Sequence, residues 1–174
     1  MIRSTANRMT PSGQKEKTMT TESILKRLQA LEDVEDIKRL KAQYCNYCDQ
    51  PFNADALIKL FADDAVWEAD GIGRFEGTDA IYGFFKNITE RLTFAVHYVM
   101  NPIIDVQGNT AQGYWYLWEP GTIKGRDAIW ISGSYTDEYQ KLNGVWKFKN
   151  VHLDWFFRAS VEKGWAEDRM ATFD

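Results

Sequence analysis

The sequence predicts an α+β domain in which about three N-terminal helices pack against one cone-shaped, curved antiparallel sheet. Up to residue 91, apolar residues recur every three or four positions, as in amphipathic helices. After Arg91 they alternate for most of the remaining chain, as in strands that bury one face. Two dipeptides, Gly108-Asn109 and Asn143-Gly144, are typical of hairpin turns and predict a meander of long strands. Such a sheet must curl to bury its aromatic face against the helices, which leaves a half-barrel with a pocket at its open end.

The first predicted helix has one apolar face and ends where proline intervenes. That face is formed by six residues spaced three or four apart: Leu31, Val34, Ile37, Leu40, Tyr44 and Tyr47. Pro51 disfavours helical geometry at Gln50, so we expect the helix to end near Asp49. Two shorter helices are predicted next, because Asn53 and Thr78 are good caps. Their apolar residues are Leu57, Leu60 and Phe61 in the second helix, and Ile81, Phe84, Phe85 and Ile88 in the third.

The strands follow from alternation and from turn residues. The predicted strands cover Ala65–Ala69, Leu92–Val106, Thr110–Glu119, Ala128–Lys141 and Val145–Arg158. A glycine-rich turn follows the first of them. Pro102 cannot donate to a ladder, so we expect the long second strand to bend or bulge there.

Length, composition and charge indicate one folded domain that binds neither nucleic acid nor membrane. The 174 residues suffice for one core and comprise a predicted flexible tail over 1–21, a domain over 22–160 and a second tail over 161–174. A formal charge of -4, without a long Lys/Arg run, argues against a phosphate-binding surface. No apolar run is long enough to cross a bilayer, and the polar start lacks the apolar core of a signal peptide. We therefore expect a cytoplasmic location.

Cys45 and Cys48 have the spacing of a redox pair or of half a zinc site. A reactive pair needs its first thiol at a helix N-terminus, whereas these lie near the end of a predicted helix. A structural zinc site needs two further ligands, and the sequence holds no second cysteine pair. The pattern favours two small residues that pack on or beside the helix.

Several segments, in their order and spacing, resemble the SnoaL-like branch of the nuclear transport factor two-like superfamily. The resemblance covers roughly Glu32 to Arg158. It is carried by Tyr44 to Asp49, by Leu60-Phe61-Ala62-Asp63-Asp64-Ala65-Val66-Trp67, by Gly77, by His97 through Asn101-Pro102-Ile103-Ile104, and by Gly108 and Ala111. It implies a cystatin-like half-barrel. The family includes scytalone dehydratase, bile acid dehydratase, hexachlorocyclohexane dehydrochlorinase, steroid isomerase and polyketide cyclases.

Resemblance to the dehydratases implies a catalytic site formed by Tyr44, Asp49 and His97. Imidazole titrates near neutral pH and can take a proton from carbon, while a carboxylate fixes its tautomer. In the same comparison, Tyr44 matches a tyrosine that polarises the substrate carbonyl. A phenol can hydrogen-bond the enolate that forms there. Each residue also has a structural interpretation: packing for Tyr44, capping for Asp49, and a satisfied core position for His97.

Further residues are predicted to bind substrate. Strand alternation places Asn101 on the same face as His97. The strand after Thr110 carries Tyr114 and Trp118 on one face, where scytalone dehydratase has a second pocket histidine; this departure counts against that particular substrate. Unbroken alternation in the last strand places His152 and Arg158 together, and the resemblance matches Arg158 to a pocket arginine. A solvated or subunit-facing strand end is the alternative for both.

A metal site is a weaker alternative for the same residues. His97, His152 and Asp154 could in principle supply two imidazoles and a carboxylate. Relatives with this chemistry work without a metal, so we expect neither metal nor cofactor.

Two functions follow from these observations. The first is a cofactor-independent lyase or isomerase that abstracts a proton next to a carbonyl in a hydrophobic, cyclic or polycyclic small molecule. The second is a non-catalytic binding module, or a structural protein like the small subunit of aromatic-ring oxygenases, in which the cone is filled. The superfamily usually pairs the exposed face of the sheet with a copy of itself, so a homodimer or homotrimer is expected.

Overall fold

The computed structural model describes residues 20–49, 51–123 and 128–171. Its helices are α1 (Thr21–Cys48), α2 (Ala54–Leu57), α3 (Gly77–Ile88) and α4 (Gly164–Glu167), with a 3₁₀ turn at Ile58–Leu60. Its strands are β1 (Phe61–Ala69), β2 (Gly73–Glu76), β3 (Leu92–Ala95), β4 (Tyr98–Gln107), β5 (Thr110–Ile123), β6 (Ala128–Leu142) and β7 (Val145–Ser160). Among the described residues, no helix is both long and apolar enough to cross a membrane.

The strands form one curled sheet in the order β2-β1-β7-β6-β5-β3, and β4 pairs with the part of β5 that β3 leaves free. Both predicted hairpin turns are present, and Asn143 and Gly144 adopt the positive φ values of 50° and 82° that a tight hairpin requires. One pair, β1 with β7, is parallel, which the sequence did not predict. The α+β half-barrel expected from the sequence is confirmed.

The three predicted N-terminal helices are present but differ at their ends, and the short helix α4 after the sheet was not predicted. The first helix begins ten residues before the predicted Leu31, at Thr21, because the Thr20 hydroxyl accepts a hydrogen bond from the Ser23 backbone at 3.2 Å. Asn53 caps α2 as expected, accepting from the Ala56 backbone at 3.0 Å. The third helix begins at Gly77 without a side-chain cap, so Thr78 does not cap it.

The long strand predicted over 92–106 is broken before its proline. The first part, β3, ends at Ala95, and His97 leaves the ladder because its backbone N–H donates to the Asp49 carboxylate at 2.9 Å. The expected bulge is also present: the pairing with β5 shifts between Met100 and Ile103. The first break places a histidine at the junction of α1 with the sheet.

The core lies between α1 and the concave face of the sheet. Tyr44 is 1% exposed and makes edge contacts with four rings at centroid distances of 5.4 to 6.2 Å: Phe61, Phe85, Tyr135 and Phe148. Small residues allow the concave face to close. A Cβ atom at Gly113 would lie 2.8 Å from the Tyr139 ring, so this position has no room for a side chain.

Two bulges in β7 reverse which residues face the core. Phe148 faces inward, but the pairing with β6 shifts at Lys149, so that Val151 and Leu153 become the buried residues. A second shift, at Phe156, reverses the alternation again. The unbroken alternation assumed from the sequence is therefore wrong for this strand.

The described part of the second predicted tail packs on the outer face of the sheet. Trp165 of α4 stacks on Phe157 at 5.0 Å and meets Trp118 edge-on. Met170 forms a bridge with Arg158. Of the first predicted tail, residues 1–19 lie outside the described residues.

We expect Gly133→Ala to destabilise the protein by about 1 to 3 kcal/mol. A Cβ atom at this position would overlap the main-chain carbonyl oxygen of Asp154, and a backbone atom cannot move aside cheaply. The control is Gly83→Ala in α3, where nothing lies within 4 Å of the added atom and helix propensity predicts stabilisation by up to about 1 kcal/mol. Denaturant unfolding of both variants checks this, and equal effects would contradict the packing argument.

Candidate active site

A cavity of about 720 Å³ lies between α1, α3 and the concave face of the sheet. Most of its wall is apolar and aromatic: Phe52, Trp67, Ile72, Phe75, Phe84, Phe85, Ile131, Leu153 and Trp155. Exposed Asn87 and Arg91 are among the residues that line it. Its polar lining includes four residues from separate parts of the chain: Tyr44, His97, Glu119 and Arg158. An apolar wall with a few converging polar groups is typical of small-molecule sites.

Asp49 and His97 form a close pair at this cavity. Asp49 follows the last residue of α1 in extended geometry, which turns its carboxylate away from the helix. Its Oδ1 lies 2.8 Å from the His97 Nδ1 atom and also accepts the His97 backbone N–H at 2.9 Å. These two bonds fix the ring, place a proton on Nδ1 and leave Nε2 as the nitrogen that can take one.

A second carboxylate faces the other ring nitrogen. Glu119 Oε2 lies 3.5 Å from His97 Nε2, and the Glu119 side chain is 5% exposed. Burial alone would lower the pKa of His97, but the negative field of Glu119 and the hydrogen bond with Asp49 outweigh it and raise that pKa. Burial raises the pKa of Glu119, with a further contribution from Asp49, although His97 opposes it.

Tyr44 contributes a buried hydroxyl to the cavity. Trp67 Nε1–H donates to this oxygen at 2.9 Å, so the hydroxyl accepts from Trp67 and can donate its own proton, for which the Cys48 sulfur is a neighbouring acceptor. Burial raises the pKa of Tyr44 well above its ordinary value, hence the phenol stays protonated at neutral pH. It is therefore a neutral hydrogen-bond donor within an apolar wall.

Arg158 reaches the cavity from the end of β7. Its guanidinium lies 5.1 Å from the Trp155 ring centroid and beside the turn at Gly71, where an added Cβ atom would be 3.6 Å away. The second bulge in β7 directs it there, as the resemblance predicted for this residue.

The model of the SnoaL-like domain matches residues 29–152, more than two thirds of the chain. The chain belongs to the SnoaL-like domain family. The match includes Tyr44, Asp49, His97 and Glu119, whereas Arg158 lies beyond its end.

Curated and structural relatives agree with this family. The chain is 30% identical over 105 residues to gamma-hexachlorocyclohexane dehydrochlorinase of Sphingobium indicum, which covers 58% of this chain and 67% of that enzyme. A hexachlorocyclohexane dehydrochlorinase structure from Novosphingobium barchaimii superposes with a TM-score of 0.72 at 25% identity, over 78% of this chain and 94% of the other. A nuclear transport factor two-like protein with a cystatin-like fold from Novosphingobium aromaticivorans gives 0.64 at 19% identity, over 80% and 92%.

Four predicted substrate-binding residues of this SnoaL-like domain lie outside the cavity. Asn101 is exposed, because it takes a φ of 54° in the bulge before Pro102 and leaves the face of His97. Tyr114 and Trp118 do share a face, but it is the outer one: Tyr114 meets Tyr116, and Trp118 stacks on Trp130 at 5.2 Å. These three predictions are corrected.

His152 also faces outward, because the first bulge in β7 shifts it off the inner face. It lies between Glu68 Oε1 and Asp154 Oδ1, each at 3.1 Å from one ring nitrogen. It therefore does not join His97 in the cavity, and the alternative metal site built on both histidines is lost. Among the described residues, no group of three His, Cys, Asp or Glu side chains is placed to hold a metal ion.

The sequence argument missed Glu119. It lies on the inner face of β5 with Trp115 and Leu117. The sequence argument had instead placed the alternate residues, Tyr114 and Trp118, at the pocket. The small residues of this strand carried a usable signal, because Ala111, Gly113 and Gly121 have the same parity as Glu119, and the crowded concave side of a curved sheet selects small side chains.

The two cysteines pack in the core near the site. Both are free and buried, and burial raises the pKa of Cys45 to about 12. A reactive thiol needs a lowered pKa. The structure supports the packing interpretation of this pair.

The outer face of the sheet carries exposed apolar residues, among them Tyr98, Met100, Ile103, Tyr116 and Phe156. The homodimer or homotrimer, which the resemblance predicts to form through this face, stays a prediction.

Proposed function

We propose that this protein is a cofactor-independent lyase or isomerase that removes a proton next to a carbonyl in an apolar cyclic molecule. The observation that carries the proposal is the pair of His97 and Asp49 at 2.8 Å on the wall of an apolar cavity. A base that a carboxylate orients, beside space for a ligand, is what proton abstraction from carbon requires. A His97 and Asp49 pair with only a structural role would not need a cavity beside it.

Three side chains each perform one part of the proposed reaction. His97 Nε2 takes the proton, and the Asp49 carboxylate stabilises the imidazolium that results. The Tyr44 hydroxyl donates a hydrogen bond to the carbonyl oxygen, where negative charge builds up as the enolate forms. Because the cavity wall is apolar, this charge is stabilised by fixed donors instead of by water.

The substrate class follows from the cavity wall. Its aromatic side chains suit a flat or ring-containing ligand, and a volume of about 720 Å³ is within the range of sites for drug-sized molecules. The Sphingobium relative is named for removing hydrogen chloride from a chlorinated ring, which supports elimination on a cyclic, apolar substrate. Arg158 supplies a cation for an acidic or acylated group.

The non-catalytic alternative expects a filled cone. Here, the space between α3 and the sheet is open, and it is lined by His97 and Glu119, while Asp49 contacts the other side of the His97 ring. These features favour the enzyme over a structural module.

We expect Tyr44→Phe to lower kcat by about 100-fold or more, because it removes one donor to the developing oxyanion. The measurement is turnover by mass spectrometry in deuterated water across steroids, bile acid derivatives, polyketide-like phenols and chlorinated cyclic compounds, with binding followed by thermal shift. The control is Tyr82→Phe, because the Tyr82 hydroxyl also has a side-chain partner, Asp55 at 2.9 Å, but lies outside the cavity.

Two results would contradict this proposal. Unchanged kcat in Tyr44→Phe would make the hydroxyl a packing group that satisfies Trp67. Ligand binding without deuterium exchange, elimination or isomerisation anywhere in the panel would favour a carrier.

A further inference from the structure

Glu119 is a buried carboxyl at the cavity that the proton abstraction described above does not use. It lies on the inner face of β5, its side chain is 5% exposed, and it borders the same space as His97. A carboxyl group is costly to bury as an anion, so its position at a binding cavity needs a reason. His97, the ionisable side chain 3.5 Å away, supplies that reason.

The two carboxyl groups beside His97 have different environments. Asp49 accepts two hydrogen bonds through one oxygen, and its side chain is 21% exposed. Glu119 is 5% exposed and stands 3.5 Å from Nε2, the nitrogen that must take the substrate proton. Burial raises the pKa of Glu119, and ionised Glu119 raises the pKa of His97, so the pair holds one proton between them; the reactive state has this proton on Glu119 and a neutral His97. The cavity therefore places an acid next to a base.

An acid of this kind matters for some leaving groups and not for others. Chloride and acetate are weak bases and leave from carbon as anions. Hydroxide is a strong base, so loss of a hydroxyl group from an enolate is much faster when an acid protonates the departing oxygen. A buried carboxyl at the cavity is therefore useful to a dehydratase and of no use to a dehydrochlorinase.

We propose that Glu119 is the catalytic acid that protonates a departing hydroxyl, so that the substrate is a cyclic β-hydroxy carbonyl compound. This inference rests on the proposed function. His97 takes the proton from the carbon next to the carbonyl, and the C–H electron pair forms the enolate. As the enolate collapses to the conjugated double bond, the C–O bond breaks and its electron pair stays on the hydroxyl oxygen, which takes the Glu119 proton and leaves as water.

The same pair resets the site. After water is lost, His97 carries one extra proton and Glu119 is a carboxylate. Nε2–H lies 3.5 Å from the carboxylate oxygen, so a small movement returns the proton to Glu119 and restores neutral imidazole. The net reaction is loss of one water from the substrate, with no co-reactant.

The test is Glu119→Gln assayed on a fused bicyclic β-hydroxyketone and on its β-acetoxy and β-chloro analogues. Glutamine has nearly the same shape and cannot release a proton. We expect loss of water to fall by at least about 100-fold more than loss of acetate or chloride, and α-deuterium exchange to persist. The matched control is Glu138→Gln, an exposed glutamate on the neighbouring strand β6.

Other outcomes overturn the assignment in distinguishable ways. Equal loss with all three leaving groups would make Glu119 a positioning residue for His97, and no loss would leave it without a role. Wild-type protein that eliminates acetate and chloride but never water would overturn the substrate class and leave the proposed function standing. Wild-type protein that neither eliminates nor exchanges the α-deuterium of any probe would overturn both.

A measurement on wild-type protein alone keeps the inference testable if the variant does not fold. With proton assistance, the elimination rate depends only weakly on the basicity of the leaving oxygen across a series of β-substituted ketones. A steep fall in rate with increasing basicity would show that no acid assists the departure.

Discussion

Replacement of His97 by glutamine is expected to lower turnover by about 100- to 10,000-fold and to leave the protein folded. Glutamine can keep a hydrogen bond with Asp49 but cannot take a proton at neutral pH. Because His97 borders a cavity and is not packed on all sides, its replacement creates little new empty space. The measurements are kcat for elimination and the rate of α-deuterium exchange, with the melting temperature recorded for each variant.

The chain offers a matched control in His152, the second of its two histidines. His152 also lies between two carboxylates, at 3.1 Å from each, but on the outer face of the sheet. We expect His152→Gln to leave turnover within about 2-fold of wild type. Equal losses in both variants would mean that a histidine and carboxylate pair acts through folding, and would contradict a base at His97.

The pH dependence of the same activity follows from the direction of the His97 shift. The base must be neutral, and its neutral fraction grows as pH rises through its pKa. The charged groups that act on this ring are Glu119, Asp49 and Lys41, and the net effect raises its pKa above 6.5. We therefore expect kcat/KM for loss of acetate or chloride, which needs no acid from Glu119, to rise with pH, with a midpoint above 6.5. A flat profile between pH 6 and 8 would contradict the assignment of His97 as the base.

The fold could be predicted because its signals are local and periodic. The change of apolar spacing after Arg91 separates helices from strands, and Asn143-Gly144 fixes one hairpin by the backbone angles these residues tolerate. The approach of Asp49 to His97 was predictable only through the resemblance, since the two residues are far apart in sequence. Pro51 helped, because it places Asp49 at a helix end.

The inner face of the sheet was less predictable, because each bulge reverses the alternation. One extra residue before Ile103 removed Asn101 from the cavity, and the bulges in β7 exchanged His152 for Leu153 on the inner face. In β5 the alternation is unbroken, yet large aromatic residues occupy both faces. Alternation alone therefore could not show whether Trp118 or Glu119 faces the cavity. Only the small residues on the face of Glu119, which a concave surface needs, indicate that this face is the inner one.

The largest effect on stability is expected from Lys41→Met. Lys41 and Asp137 are both 0% exposed, and their Nζ and Oδ2 atoms are 2.8 Å apart. The ammonium lies 3.4 Å from the centre of the Tyr135 ring, and the Tyr139 hydroxyl donates to the same Asp137 oxygen at 2.8 Å. Removing the cation leaves a carboxylate in the core without its counter-charge. We expect a loss of about 3 to 5 kcal/mol in the free energy of unfolding.

This loss should depend on pH in a defined direction. Burial raises the pKa of Asp137 even though Lys41 and Tyr139 oppose the shift. Without Lys41 that opposition weakens, so the carboxyl takes up a proton at a higher pH than in wild type. A protonated Asp137 needs no cation, hence the cost of Lys41→Met is expected to shrink as pH falls. Chemical denaturation at several pH values measures this, and a cost that grows toward acid would contradict it.

A double-mutant cycle separates the pair from its surroundings. The single variants Lys41→Met and Asp137→Leu each leave one buried charge, whereas the double variant leaves none, so we expect the double variant to recover most of the lost stability. The surface pair Lys38 and Glu35, at 2.6 Å, is the control, and Lys38→Met should cost less than about 1 kcal/mol. If the two core losses simply add, the ion pair is not coupled, and Lys41 stabilises the core through its contacts with the rings of Tyr135 and Tyr44.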